Sequence, residues 1–456
     1  MSPVIVSRSP QQPTDVVVEV AATEPAQVEA AVARARAAQR GWAQAAAPRA
    51  AALHAAADLV ATRAEQLEAL VVREVGKPRA EARGEVARTA AILRYYAEQV
   101  FDPVGAVHEP SLSGLLLTQR RPHGVAGLIT PWNFPLAIPL WKAAPALAFG
   151  NTVVLKPAPE ATACALALAE ILDQCLPPDV FTVVPGEAQT GQALVQCADV
   201  VSFTGSVGAG GAVAAAAGAR GVPVQAEMGG QNPAVVLPDA DAQTVASHLT
   251  GAAMGYAGQK CTATKRIIVV GDPGPLREAL VAAVEALPVG DPARAETVVG
   301  PVINEGARQR VQQAAASARA AGGRLLTGTR SVSDDGWYVA PTLVEGVPAS
   351  HELACEEVFG PICLLQQASD VDQAVAMANG VRFGLAAGLY TNDLDAVLAL
   401  TGRLEAGLVK VNAPTSGVDF YLPFGGEKAS SLGGREQGKA AQDFYTSVHT
   451  VTIARP

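Results

Sequence analysis

Val125-Ala126-Gly127-Leu128-Ile129-Thr130-Pro131-Trp132-Asn133-Phe134-Pro135 is a short apolar run that breaks into a loop bounded by prolines. A run of this length with turn signals at its end reads as a buried strand. A helix is expected from about Pro139 to Phe149, a turn at Gly150-Asn151, and a second strand from Thr152 to Leu155, ending at Lys156-Pro157. The rhythm continues with a helix from Ala161 to Gln174, a strand from Val180 to Val184, and a strand from Val200 to Phe203 that runs into Thr204-Gly205-Ser206. Strands alternating with helices imply an α/β fold built on a parallel, doubly wound sheet, with ligands at the carboxyl ends of the strands. Asn133, Lys156 and Ser206 all lie at such ends. A second alternating stretch, from Ala234 to about Val411, implies a second α/β domain.

Upstream, Pro25 to Val100 reads as helices. Alanine is dense, Leu53, Val60, Leu67 and Val71 recur at helical spacing, and Arg63, Glu65 and Glu68 fall between them. Glu74-Val75-Gly76-Lys77-Pro78 carries glycine and proline as stop signals. This region is scaffold and is assigned no chemistry. From Phe101 to Pro122 the helical period is lost and Leu115 to Arg120 reads as a strand, while the tail Phe444 to Ile453 alternates like an edge strand.

The length of 456 residues allows two or three domains, and 49% hydrophobic against 17% charged residues excludes intrinsic disorder. A net charge of -9 argues against nucleic acid or an anionic membrane as partner. Six cysteines (Cys164, Cys175, Cys197, Cys261, Cys355, Cys363) form no C-x-x-C pair and six histidines are scattered, so no metal site or disulfide framework is expected. Met1 to Asp15 lacks the order of a signal peptide, and charges or glycine interrupt the Ala/Leu runs before they could span a bilayer. A soluble, cytoplasmic protein is expected.

Gly255-Tyr256-Ala257-Gly258-Gln259-Lys260-Cys261-Thr262-Ala263 places one thiol on a tight backbone beside small residues, which suits a nucleophile. A lone cysteine more often packs as a small hydrophobe; its company changes that reading. Phe203-Thr204-Gly205-Ser206-Val207-Gly208-Ala209-Gly210-Gly211 looks like a phosphate-binding turn before a helix, although it is not the G-x-G-x-x-G fingerprint. Glu227, just ahead of Gly229-Gly230, can serve as a general base if burial raises its pKa; alone it reads as a solvated strand end. Asn133 is an Asx-turn residue or an oxyanion donor held by aromatic neighbours. Glu356-Glu357 before Phe359-Gly360-Pro361 reads otherwise as helix-start charge.

Pro131-Trp132-Asn133-Phe134-Pro135, Leu155-Lys156-Pro157, Phe203-Thr204-Gly205-Ser206, Glu227-Met228-Gly229-Gly230, Gly258-Gln259-Lys260-Cys261, Glu357-Val358-Phe359-Gly360-Pro361 and Pro423-Phe424-Gly425-Gly426 stand in the order found in the aldehyde dehydrogenase superfamily. The resemblance spans essentially the whole chain. It implies an NAD(P)-binding domain (residues 1–101 and 123–228), a catalytic domain (229–430) and an oligomerisation arm (102–122 and 440–456), with homodimers or homotetramers formed through the arm. It further implies that Cys261 attacks the aldehyde, that Asn133 and the Cys261 N–H hold the alkoxide, and that Glu227 activates water. Lys142 and Glu436 match positions that relay protons. The cofactor set is Ile129, Pro131, Trp132, Lys156, Gly205, Ser206, Gly229, Glu357 and Phe359, serving NAD or NADP. The substrate pocket is Phe134, Trp141, Lys260, Thr262 and Phe424, and the partner is a small aldehyde.

Two positions depart from the pattern. Pro159 stands where NAD-preferring members carry a glutamate, so NADP use is expected as well. Lys260 precedes the nucleophile where many relatives have a small or neutral residue, and a cation there would lower the thiol pKa or attract an anionic substrate. Trp141-Lys142 replaces the Arg-Lys pair of succinic semialdehyde dehydrogenases. Asn412 to Phe420, Pro423 to Ser431, Arg435 to Gly438 and Phe444 to Thr446 are similar to α-ketoglutaric semialdehyde dehydrogenases, with Glu427 where that group tends to have arginine. A general aliphatic or aromatic aldehyde dehydrogenase is the alternative. A CoA-acylating member would lack Glu227, a non-catalytic member would lack the Cys261, Asn133 and Glu227 set, and a cysteine hydrolase would need a placed histidine.

Overall fold

The computed structural model describes residues 3–102, 104–111 and 113–454. The positions at 1–2 and 455–456, and 103 and 112 within the expected arm, lie outside the described residues. Val4–Ser9 (β1) and Gln12–Ala21 (β2) form an antiparallel hairpin that the sequence reading did not anticipate. Helices α1 (Pro25–Ala43), α2 (Ala46–Thr62), α3 (Ala64–Val75) and α4 (Arg79–Gln99) fill the expected helical region. α3 stops at Gly76, which is left-handed at φ 65°. A Cβ there would come within 2.7 Å of Pro301, so conformation and space both call for glycine.

After β3 (Gly105–His108) and β4 (Gly114–Pro122), β5 (Val125–Thr130) leads into α5 (Ala137–Ala148), and both are buried at every position. Then come β6 (Thr152–Pro157), α6 (Thr162–Leu172), β7 (Phe181–Val183), α7 (Ala188–Cys197), β8 (Val200–Thr204), α8 (Val207–Ala219) and β9 (Val224–Glu227). Burial on both faces explains why these strands read as unbroken apolar runs. The second half supplies β10 (Pro233–Val236), α9 (Ala242–Met254), β11 (Arg266–Val270), β12 (Arg324–Leu325), β13 (Thr342–Glu345), β14 (Ile362–Ala368), β15 (Phe383–Gly384), β16 (Ala386–Tyr390), β17 (Leu408–Val411), β18 (Glu427–Lys428), β19 (Ser431–Leu432) and β20 (Thr446–Ala454).

Among the described residues one sheet runs β19-β9-β8-β5-β6-β7, and another runs β12-β13-β14-β11-β10-β16-β17. Each is parallel except at one end, where β19 and β12 run antiparallel. The chain leaves β5 toward β6 and β7 on one side and returns to β8 and β9 on the other. That reversal opens a crevice at the carboxyl ends of β5 and β8. Loops just before β10, β11 and β14 meet this crevice, so the second sheet contributes the amino ends of its strands.

A third sheet, β20-β4-β3, is antiparallel, with nine registered pairs from Thr446↔Pro122 to Ala454↔Gly114. It leaves Val107, Leu115, Val448 and Ile453 exposed. The tail strand starts at Thr446 and not at Phe444, because Phe444 and Tyr445 are buried in a short helix, Ala440–Tyr445. Among the described residues no helix is long and apolar enough to cross a membrane, and no group of three or more side chains could hold a metal ion.

Candidate active site

After α9 the backbone turns through three successive left-handed residues, Tyr256 (φ 54°), Ala257 (φ 52°) and Gly258 (φ 64°). For residues bearing a Cβ such a conformation costs about 1–3 kcal/mol each and persists only where the surroundings enforce it. They do so here. The Tyr256 hydroxyl donates to the Val75 carbonyl at 3.2 Å, and a Cβ on Gly258 would strike the Gly360 carbonyl oxygen at 2.2 Å. The Gln259 amide nitrogen donates to Tyr256 and Pro301 carbonyls, both at 3.3 Å, and its oxygen accepts from Ile303 N–H at 2.9 Å. Downstream, the Cys261 carbonyl accepts from Asn232 at 2.7 Å, and the Thr262 carbonyl accepts from Thr415 at 2.7 Å. The backbone is therefore clamped on both sides of the thiol.

The loop after β5 is fastened to this turn. Asn133 donates from its side-chain amide to the Gln259 carbonyl at 3.0 Å. The Phe134 ring lies under the Lys77 ammonium, 3.7 Å from its centroid, and Lys77 pairs in turn with Glu85. The other Glu85 oxygen accepts from Leu136 and Ala137 N–H groups at 2.9 and 3.0 Å, capping the start of α5. A buried ion pair thus joins α4 to the helix that carries Trp141 and Lys142.

Two cavities meet at Cys261. A cavity of about 260 Å³ is lined by Pro131, Trp132, Asn133, Gly205, Ser206, Gly229, Glu357 and Phe359, all expected cofactor or catalytic residues. Ile138, Thr204, Met228 and Arg310 complete it. It is a cradle that side chains would fill: a Cβ on Gly229 would lie 1.8 Å from Glu357 Oε2, and one on Gly205 2.6 Å from the Phe203 ring. Glu357 Oε1 is buried without a partner among the described residues, and the Trp132 and Phe359 rings meet edge to face at 5.7 Å. These features fit a nicotinamide dinucleotide, whose hydroxyls would satisfy the carboxylate. Ile129 and Lys156 stand at the carboxyl ends of β5 and β6, outside this lining but both beside Gly191 of α7.

The other cavity, about 220 Å³, is lined by Phe134, Trp141, Lys260, Cys261, Thr262 and Phe424, the entire expected substrate pocket plus Cys261. The Trp141 and Phe424 rings meet at a tilt of 39°, their centroids 5.9 Å apart. Glu81, Glu85 and Arg88 of α4 also line it, and the sequence had offered no sign of them.

Glu227 ends β9 and accepts from Ser431, while its Oε1 is buried with no partner among the described residues. Burial, then the charge of Glu436, holds its carboxyl well above the usual range, against the pull of Ser431, Lys142 and Arg435. Behind it Lys142 pairs with Glu436 and donates to Ser202 Oγ at 2.8 Å. Neither Lys142, Glu436 nor Glu227 lines either cavity. Glu357 is pushed up to about 7 by burial, with Lys265 opposing. Glu357 is not at a helix start: the short helix before it ends at Cys355.

The Cys261 thiol is pushed up to about 12 by burial and then by Glu357, Glu227 and Glu436. This corrects the expectation for Lys260. The thiol pKa is raised, not lowered, and Lys260 is not among the charges that move it; its ammonium pairs with Glu81 at 2.8 Å. Sequence reasoning missed Glu81 because it lies 179 residues away from its partner.

The chain matches the model of the aldehyde dehydrogenase family over residues 3–451. It is 38% identical over 456 residues to an alpha-ketoglutaric semialdehyde dehydrogenase of Bacillus subtilis (strain 168), covering 98% of this chain and 93% of that protein. An NAD-dependent aldehyde dehydrogenase from Sinorhizobium meliloti superposes with a TM-score of 0.96 at 33% identity, covering 100% of this chain and 92% of that one. An E. coli NADP dependent enzyme does so at 0.96 and 33%, covering 99% and 95%. The thiol-centred loops and these end-to-end matches agree, and the chain belongs to the aldehyde dehydrogenase family.

Proposed function

We propose that the protein oxidises α-ketoglutaric semialdehyde to the dicarboxylic acid with NAD or NADP, through a thioester on Cys261. The observation that carries the chemistry is the position of Cys261, a wall of both cavities. The thiol is protonated at rest, so a base must take its proton as sulfur attacks the carbonyl carbon. Glu227, Glu357 and Glu436 all act on the thiol, and each keeps a buried oxygen without a partner among the described residues. Glu357 lines the dinucleotide cavity and Glu436 pairs with Lys142, which leaves Glu227 as the base. As the C–S bond forms, the carbonyl π pair moves onto oxygen. The Asn133 amide, with one hydrogen committed to Gln259, has a second for that alkoxide; such a donor contributes about 3 kcal/mol of barrier lowering. The alkoxide pair re-forms the C=O as the same carbon gives up its hydride, which leaves a thioester on Cys261; a nicotinamide held by the residues of the 260 Å³ cavity would supply the acceptor. Once the proton taken from the thiol has left Glu227 by way of Lys142 and Glu436, Glu227 removes a proton from water as the water oxygen attacks the thioester carbon, and the Cys261 sulfur leaves with the C–S pair. The Lys142–Glu436 pair and Ser202 lie behind Glu227 and offer that proton an exit.

The name of the Bacillus subtilis relative supports the substrate, as does the similarity of the segments between Asn412 and Thr446 to that group. The apolar walls Phe134, Trp141 and Phe424 favour the second reading, an aliphatic or aromatic aldehyde dehydrogenase. Pro159 puts no carboxylate at its own position to repel a 2′-phosphate, while Lys156, whose charge neighbours are Glu187 and Glu160, offers a cation, and Glu160 accepts from Asn304 at 3.1 Å. One panel tests substrate and cofactor together: kcat/KM for 2,5-dioxopentanoate, succinic semialdehyde, pentanal and benzaldehyde, each with NAD and NADP. The expected result is highest efficiency on 2,5-dioxopentanoate and measurable turnover with NADP. A preference for pentanal or benzaldehyde ends the substrate reading, and strict NAD dependence ends the inference from Pro159.

The β20-β4-β3 sheet, with Val107, Leu115, Val448 and Ile453 exposed, is the proposed surface of a homodimer or homotetramer. Sedimentation equilibrium is expected to give at least twice the chain mass. A concentration-independent monomer would remove this surface from consideration.

A further inference from the structure

We infer that Arg88 is the residue that selects for a carboxylate at the far end of the aldehyde, an assignment that rests on the substrate class proposed above. α4 presents Glu81, Gly84, Glu85 and Arg88 to the cavity, spaced three and four residues apart on one helix face. Gly84 leaves open space there, since a Cβ would meet nothing within 4 Å.

Four charged side chains line this cavity, and three are already matched. Glu81 pairs with Lys260 at 2.8 Å. Glu85 pairs with buried Lys77 and accepts from the Leu136 and Ala137 N–H groups. Arg88 alone among these four has no carboxylate partner among the described residues. The other arginines of α4 do: Arg79 and Arg83 with Glu68, and Arg94 with Asp58. The electrostatic neighbours of Arg88 reinforce the imbalance. Lys410 is pushed down by burial, up by Asp419 and down again by Arg88, so Arg88 has a second cation within electrostatic reach.

Arg88 is half-buried in a cavity whose other walls include Phe134, Trp141 and Phe424, and a ligand anion bound there would displace the water around its guanidinium and supply the counter-charge. A carboxylate matches the guanidinium fork with two parallel hydrogen bonds. With the reacting thiol and Arg88 as walls of the same cavity, the fitting ligand carries an aldehyde at one end and an anion at the other. Trp141 on α5 brings no charge to the pocket, so the selecting charge comes from α4.

The test compares 2,5-dioxopentanoate, pentanal and betaine aldehyde in wild type, Arg88→Ala, Arg88→Gln and Arg88→Glu, with melting curves for each. For Arg88→Ala and Arg88→Gln, kcat/KM on 2,5-dioxopentanoate relative to pentanal is expected to fall about 10–10²-fold, through KM more than kcat. Arg88→Glu is expected to drop further and to gain on betaine aldehyde. Parallel losses on all three aldehydes would mean a structural role and overturn the assignment. A wild type that favours 2,5-dioxopentanoate with an unchanged ratio in both neutral variants overturns Arg88 alone. A wild type that turns over pentanal in preference to 2,5-dioxopentanoate overturns the substrate class with it, and leaves the Cys261 chemistry standing.

Discussion

Cys261→Ala is expected to abolish aldehyde oxidation, with a loss in kcat on the order of 10⁴–10⁶-fold, the scale seen when a catalytic nucleophile is removed. No other cysteine can substitute. None of Cys164, Cys175, Cys197, Cys355 and Cys363 lines either cavity. The alanine variant keeps the Asn133, Gly229 and Glu357 cradle, so dinucleotide binding should persist. Reduced-cofactor formation and a fluorescence titration with the dinucleotide, run on one preparation, check both halves. Substantial residual turnover in pure protein would move the chemistry to another residue.

Glu227→Gln separates acylation from hydrolysis. The amide keeps the size and the Ser431 contact but accepts no proton, and general-base contributions are typically about 10²–10⁴-fold. One burst of NAD(P)H near one equivalent per site is expected, followed by near arrest with an acyl group on Cys261. Because Glu227 also stands ready to deprotonate the thiol, the burst itself should be slower than in wild type. The sign of the pH dependence follows from the raised pKa values. Wild-type kcat/KM should climb toward alkaline pH, because burial raises the pKa of both Glu227 and Cys261 and both groups act in their deprotonated forms. In the glutamine variant only the thiol contribution to that climb should remain. Stopped-flow absorbance and intact-protein mass after quenching read the outcome, and steady turnover at the wild-type rate would reduce Glu227 to a structural carboxylate.

Much of the fold was legible because strands buried on both faces, such as Val125–Thr130 and Val200–Thr204, must be apolar throughout and must stop at turn residues. The loops at their ends, from Pro131 to Asn133 and from Thr204 to Ser206, were legible for the same reason. The β1–β2 hairpin was not. Its second strand alternates weakly, from Thr14 through Val16, Val18 and Val20, and Pro10-Gln11 is no standard hairpin turn signal. Long-range charge matching was equally hidden. Lys260 looked free until folding brought Glu81 to it, and Arg88 looked like ordinary helix surface until its neighbours proved to be paired elsewhere. Ser431 sat inside a recognised motif, yet only the pairing of β19 with β9 shows that it reaches Glu227.

Among the residues lining the two cavities, the one common to both is Cys261. The consequence is kinetic. If aldehyde and dinucleotide occupy these two cavities as proposed, they approach the sulfur through different linings, so neither need enter past the other and the linings impose no order on their arrival. The same separation lets water and the departing acid use the aldehyde side while the dinucleotide site is still full. Any compulsory sequence in the rate law must then come from a movement of the protein, not from one ligand standing in the other's way.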